Sequence, residues 1–164
     1  MRPLILQWRG RPWQQWVSLL VRLALAGILV AAGLAKLLQP LVAVQAVAAY
    51  ELLPQALVPI VGYGLPLLEV ALAGLLVAGL LTRWVAVVTG VLMMVFIAGV
   101  ASAWARGLSI DCGCFGGGGQ VAPGQTQYVT EILRDLGFIV LAAWLVVFPL
   151  SRFSLDGRYG REED

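Results

Sequence analysis

The two cysteines of this 164-residue chain stand one residue apart, in the run Asp111-Cys112-Gly113-Cys114-Phe115. Two thiols at that spacing can close a very small disulfide ring, and Gly113 between them eases the bend because glycine accepts dihedrals other residues resist. A ring that small carries strain, and strained, exposed disulfides are the labile, oxidising ones. As a staple it would add little, since the loop it closes is nearly absent. Three chemistries are open to the pair: thiol–disulfide exchange, which the strain favours; a structural bridge; and capture of a soft ion such as Cu(I). One chain alone offers too few ligands for zinc, so no metal is assigned. Asp111 opposes negative charge on the neighbouring sulfur, whereas Arg106 or Lys36 would favour it if near. Glycines 116–119 follow, and they are expected to leave the loop mobile. They lack the Lys and Ser/Thr of a phosphate-binding loop.

A second candidate is Glu69, an acid inside an apolar run and three residues after Pro66. Intramembrane carboxylates are functional candidates by default. Glu69 is expected to pair with Lys36 or to be protonated. A structural ion pair and a proton or ligand site are equally compatible with it. Tyr63 and Trp104 are candidates to flank a quinone ring, although aromatics in spans more often pack or mark the interface. Histidine is absent, which excludes His-ligated metal or haem and nucleophilic triads built on His.

The elements that position these residues belong in a bilayer. Hydrophobic residues make up 60% of the chain and charged ones 12%, about half the ~25% charge of a soluble domain. The reading is an all-α integral membrane protein, one domain over 1–164, folded as a four-transmembrane-helix bundle. Spans are expected near 17–38, 57–81, 84–105 and 128–150, each of roughly the 20 residues a crossing needs. Arg22 and Lys36 fall near opposite ends of the first span, where long stems snorkel. The uncharged part of the fourth, 136–150, would rise only about 22 Å, so the span must reach back to Tyr128 and take in Glu131, Arg134 and Asp135. Arg134 can pair with Glu131 at i,i+3. Residues 40–55, bracketed by Pro40 and Pro54, are too short to cross and suggest a short interfacial helix. Ala46-Val47-Ala48 imitates a signal-peptidase site, but the apolar stretch before it is longer than a signal core and carries Lys36. Ala24, Gly27, Ala31 and Ala35 form a small-residue stripe suited to close helix packing. The polar tail 151–164 is expected to be poorly ordered.

Basic residues orient the chain. With the N-terminus inside, Arg2, Arg9, Arg11, Arg22, Arg83, Arg152, Arg158 and Arg161 face the cytoplasm, and only Lys36, Arg106 and Arg134 lie on the other side, as the positive-inside rule requires. Trp8, Trp13, Trp16, Trp84 and Trp104 fall near span ends as an aromatic belt would. Both termini are thus expected inside an inner or plasma membrane. Segments 39–56 and 106–127 then face outward, which sets the cysteines where disulfides persist. The charge is too small and scattered for nucleic-acid binding.

Two apolar stretches and the cysteine loop also carry a family resemblance. AGLAKLLQP at the end of the first span and PLLEVALAGLLVAGLLTR in the second resemble the DoxX-type four-helix membrane proteins. The loop DCGCFG before a final span resembles the MauE branch, the methylamine-utilisation membrane proteins. The resemblance covers about residues 17–150. It implies a link to extracytoplasmic disulfide formation or electron transfer, with a thioredoxin-like protein or a disulfide-rich client as partner besides membrane lipid. Cys112 and Cys114 match its cysteine motif, and Lys36 and Glu69 its polar intramembrane positions. Quinone-linked disulfide-generating enzymes generally relay electrons through two cysteine pairs, whereas this chain has one.

Together these readings give a membrane thiol–disulfide redox component. Cys112 and Cys114 are the exchanging pair, Asp111, Lys36, Glu69 and Arg134 support it, and a quinone is the acceptor such chemistry would call for. The alternatives are a non-enzymatic assembly factor or anchor of an electron-transfer complex, and a small-molecule or metal transporter built on Glu69.

Overall fold

In a computed structural model, which describes residues 12–113, 115, 117–122 and 126–156, five helices account for most of the chain. They are α1 (Pro12–Leu38), α2 (Pro40–Ala49), α3 (Val58–Ala78), α4 (Thr82–Ala105) and α5 (Tyr128–Val147). Proline sets several of their ends. Pro40 lacks the N–H to continue α1 but suits the first turn of α2. Pro149 follows the end of α5, where the residue before a proline is pushed out of the helical region. Gly79 ends α3 with φ of 65°, and the Gly79 and Leu80 N–H groups donate to the Leu76 and Leu75 carbonyls, both at 3.0 Å. That is a Schellman motif, whose left-handed residue is most easily a glycine.

Helices α1, α3 and α4 are long and apolar enough to cross a membrane, and α2 is a shorter apolar helix. The chain is a multi-pass helical membrane protein. The outer surface of these three long helices carries large apolar residues such as Leu20, Leu67 and Val95, all exposed. Trp13, Trp16, Trp84 and Trp104 are also exposed near helix ends, while Trp8 lies outside the described residues.

The bundle is built from two close pairs, α1 with α3 and α4 with α5, joined mainly through α1–α5 and α3–α4. At Gly33 the α1 and α3 backbones nearly touch: a Cβ there would stand 2.7 Å from Val70 Cγ2 and 3.1 Å from the Pro66 carbonyl oxygen. The expected stripe is not the contact face. Ala24, Gly27 and Ala31 are exposed, and the buried face of α1 runs through Arg22, Leu25, Ala26, Leu29, Ala32, Gly33 and Lys36. Small residues thus occur on both faces of α1, with Ala26, Ala32 and Gly33 inside and Ala24, Gly27 and Ala31 outside.

After its break, α2 carries the antiparallel pairing onward. Its Val44 covers Gly62 of α3 so closely that a Cβ there would lie 2.8 Å from the Val44 Cα. The helix thus packs on α3, and Ala43, Ala46 and Ala49 are its buried face.

Packing differs along the bundle. Leu25, Leu29, Leu72, Leu76, Val85, Ala86, Ala142 and Leu145 belong to one dry core. Beside it Arg22, expected to snorkel, is 2% exposed and donates to Ser151 Oγ at 2.9 Å. The start of the tail is docked here too, contrary to expectation. Arg152 lies over the Trp16 ring at 4.8 Å, and Asp156 accepts from the Leu81 and Thr82 N–H groups at 2.8 and 2.9 Å. Those are donors that the first turn of α4 cannot satisfy internally. Residues 157–164 lie outside the described residues.

Candidate functional site

The remaining polar groups gather toward the other end, where the α4–α5 connection folds back over α2. Ile110–Asp111 and Gly119–Gln120 form a two-residue antiparallel ladder, pairing Ile110 with Gln120 and Asp111 with Gly119. Cys112, Gly113 and Gly118 belong to the tip of this hairpin. It presses on Ala46: a Cβ on Gly113 would stand 2.7 Å from the Ala46 Cβ, and one on Gly118 2.5 Å. Both glycines also have positive φ, 69° and 111°, which side-chain-bearing residues resist. Gly113 and Gly118 therefore serve a close approach to α2, a role that the expectation of a mobile loop did not include.

Cys112 is held from three sides. Its N–H donates to Glu131 Oε1 at 3.4 Å, its carbonyl accepts from the Tyr50 hydroxyl at 3.4 Å, and Arg134 Nη2 lies 3.6 Å from its Sγ. Asp111 Oδ1 accepts from the Gly113 N–H at 3.2 Å. Cys114 lies outside the described residues. The cation beside the sulfur is thus Arg134, since Arg106 donates to the Ser102 and Tyr50 carbonyls and Lys36 is paired elsewhere. Ligand atoms of Asp111, Cys112 and Glu131 lie within 4.8 Å of one another. Such a cluster offers three donors to a cation, but the Arg134 guanidinium already supplies positive charge there.

Arg134 does not form the expected i,i+3 ion pair with Glu131. It pairs with Asp135, Nη2 and Nε lying 3.0 and 3.1 Å from Oδ1, and its guanidinium stands 5.1 Å from the Phe115 ring centre. Glu131 is occupied by the Cys112 backbone. Asp135 is 2% exposed, and its Oδ2 has no hydrogen-bond partner among the described residues. A small cavity of about 20 Å³ separates Asp135 from Glu69, with Phe96, Phe115 and Phe138 around it.

Lys36 Nζ donates to both oxygens of Glu69, at 2.7 and 2.8 Å. The two side chains are 6% and 1% exposed, so Lys36 turns inward and does not snorkel. Pairing is what makes two charges tolerable at such depth. Lys36 also borders the larger cavity, about 200 Å³, between α2, α3 and α4, and Cys112 and Gly113 border the same space.

The structure thus brings Asp111, Cys112 and Arg134 together directly, and connects Lys36 and Glu69 to them through the cavities. Tyr63 and Trp104 stay apart from this arrangement. Tyr63 is exposed, Trp104 stacks on Tyr128 at 5.6 Å, and neither borders the larger cavity, whose aromatic residues are Tyr50 and Phe96. Sequence reasoning gave no role at the site to Tyr50, Glu131 and Asp135. The two acids carried a signal: with Ala142 and Leu145 they fall on one helical face, the spacing of an inward stripe.

The profile of the family described as Methylamine utilisation protein MauE matches residues 14–148, from the first turn of α1 to just past the end of α5. The chain belongs to the MauE family. The match takes in the Lys36–Glu69 pair, the cysteine hairpin and the acids of α5, so the whole polar end lies within the MauE region. No curated protein and no solved structure matches the chain.

Proposed function

We propose that this MauE-family chain is a membrane thiol–disulfide redox component. It assists extracytoplasmic disulfide formation, or maturation of a redox enzyme of the methylamine-utilisation type. A thiolate of the client attacks the Cys112–Cys114 disulfide, giving a mixed disulfide. The client's second thiol resolves it, so the client gains an S–S bond and Cys112 and Cys114 leave as two thiols. The observation that carries this reading is Arg134 Nη2 at 3.6 Å from Cys112 Sγ. A guanidinium there stabilises sulfur as an anion, the form that leaves and attacks in exchange. The acids Asp111 and Glu131 oppose it, which favours a sulfur that is reactive without being permanently ionised.

The reading includes a fourth span and an outward loop. Helix α5 has 20 residues, long enough to cross. Glu131 and Asp135 are buried within the protein, while Leu133, Leu136, Val140 and Val147 are exposed. Its acids therefore face protein and not lipid, where charge is tolerated. An even number of spans puts both termini on one side, and Arg83 and Arg152 with the terminal arginines make that side the cytoplasm.

Trapping tests the function. With Cys112→Ser, Cys114 should accumulate mixed disulfides with an extracytoplasmic thioredoxin-like protein or client, and the double serine variant should leave the client reduced. If the double variant still supports client oxidation, the chain acts as an assembly factor or anchor.

A further inference from the structure

Chemistry at one cysteine pair leaves a question of electrons. After each cycle Cys112 and Cys114 are two thiols, and with only two cysteines in the chain no second pair can relieve them internally. An acceptor must therefore come to the loop. The cavity between α2, α3 and α4 is a space that reaches both the loop and a fixed cation.

We infer that this cavity receives the ring of a lipid-soluble quinone, an inference that rests on the thiol–disulfide reading and names the acceptor that reading requires. Its walls are apolar, with Val47, Val61, Leu65 and Phe96 prominent, and its border also holds Lys36, Tyr50 and the cysteine segment at Cys112–Gly113. The volume of about 200 Å³ is below the ~300–1,000 Å³ of sites for drug-sized ligands. It admits a ring and excludes a bulky head group. Val95 of α4, on its border, is 60% exposed. On an apolar helix such exposure is to lipid, so a hydrophobic molecule can enter sideways without crossing water.

The cation suits the charge that develops. A quinone taking up electrons gathers negative charge on a carbonyl oxygen, and a preorganised donor stabilises it. Lys36 is such a donor: Glu69 holds its ammonium by two contacts, so it does not swing to the interface. An acyl chain filling the same space would make no use of that ammonium. The step balances with the quinone as oxidant. Two S–H bonds break and one S–S bond forms between Cys112 and Cys114, while two electrons and two protons pass to the quinone and two O–H bonds form on the quinol.

Binding can be tested without turnover. In lipid nanodiscs the Cys114→Ser protein is alkylated at Cys112 with a small maleimide, with and without decylubiquinone, whose fully substituted ring does not add thiols. Quinone at several times its dissociation constant should slow alkylation by about fivefold. n-Undecanol should not protect, and Val95→Trp, placed at the lipid-side border, should remove protection while leaving the unprotected rate within about twofold. Val61→Trp, from within the wall, should do the same. No slowing, equal slowing by undecanol, or protection that survives both tryptophans would overturn the quinone site. Loss of protection alongside normal client mixed disulfides sinks the acceptor site only. Protection without any client mixed disulfide sinks the exchange reading instead.

Discussion

Lys36 of α1 places its Nζ 2.7 and 2.8 Å from the two carboxylate oxygens of Glu69 of α3, with both side chains buried. Such a pair is costly to break from one side, because the remaining charge stays buried and uncompensated. Glu69→Gln and Lys36→Met should each lower stability by about 3–5 kcal/mol, and the double Lys36→Met/Glu69→Met variant should recover most of it. Thermal unfolding in nanodiscs measures this. Additive losses would mean that the two charges are not coupled.

Gly33 and Gly27 make a matched contrast on α1. A side chain at Gly33 would strike Val70 and the Pro66 carbonyl, whereas a Cβ at Gly27 meets nothing within 4 Å. Gly33→Val should cost about 1–3 kcal/mol through overpacking, and Gly27→Val should stay within roughly 0.5 kcal/mol. Size-exclusion profiles and melting curves report both. The opposite ranking would show that the exposed stripe is the true contact face.

At the cysteine hairpin, Ala46 is the floor. Ala46→Leu should lift the loop off α2 and raise the alkylation rate of Cys112 in the Cys114→Ser background. Gly118→Ala should do likewise, and adding Ala46→Gly to it should restore only part of the original rate. Removing the Ala46 methyl relieves one collision but leaves the Gly113 Cα 2.9 Å from the new Cβ and a positive φ that alanine resists. Full restoration would mean that the Ala46 methyl alone constrains the loop.

Arg134→Gln should slow Cys112 alkylation at neutral pH and displace the rate–pH curve toward alkaline values. The sign follows from charge: without the guanidinium, Asp111 and Glu131 act on the sulfur unopposed, and a higher pH is needed to form the thiolate. A curve that does not move would remove Arg134 from the chemistry.

Asp156→Ala removes the acceptor for the Leu81 and Thr82 N–H groups and should cost about 0.5–2 kcal/mol, as losing a helix cap does. Amide hydrogen exchange at those two residues should accelerate, while exchange in the middle of α3 stays unchanged.

Much of the helical framework could be read from residue types. The prolines and charge-free runs placed the long helices to within a few residues at most ends, because length and apolarity are what a bilayer demands. Lys36–Glu69 was legible as a possible pair since both residues are too polar for lipid. What could not be read was rotation. The stripe at Ala24, Gly27 and Ala31 has the right spacing for packing, yet Gly33 makes the contact, and both lie in equally apolar sequence. Its position near a span end makes Arg22 read as a snorkelling residue, because the serine that receives it, Ser151, comes 129 positions later. Arg134 had two acids within reach. Glu131 went to the Cys112 backbone, a preference set by the hairpin's fold and invisible to i,i+3 counting.

Asp156 has a further consequence. It follows α1–α5 in the chain, yet it satisfies the first turn of α4, and the neighbouring Ser151 receives Arg22 of α1. During synthesis these donors must wait until α5 has left the ribosome, so this end of the bundle is clasped only after α1–α5 are made. A premature stop after α5 would yield a protein that keeps α1–α5 and lacks this latch.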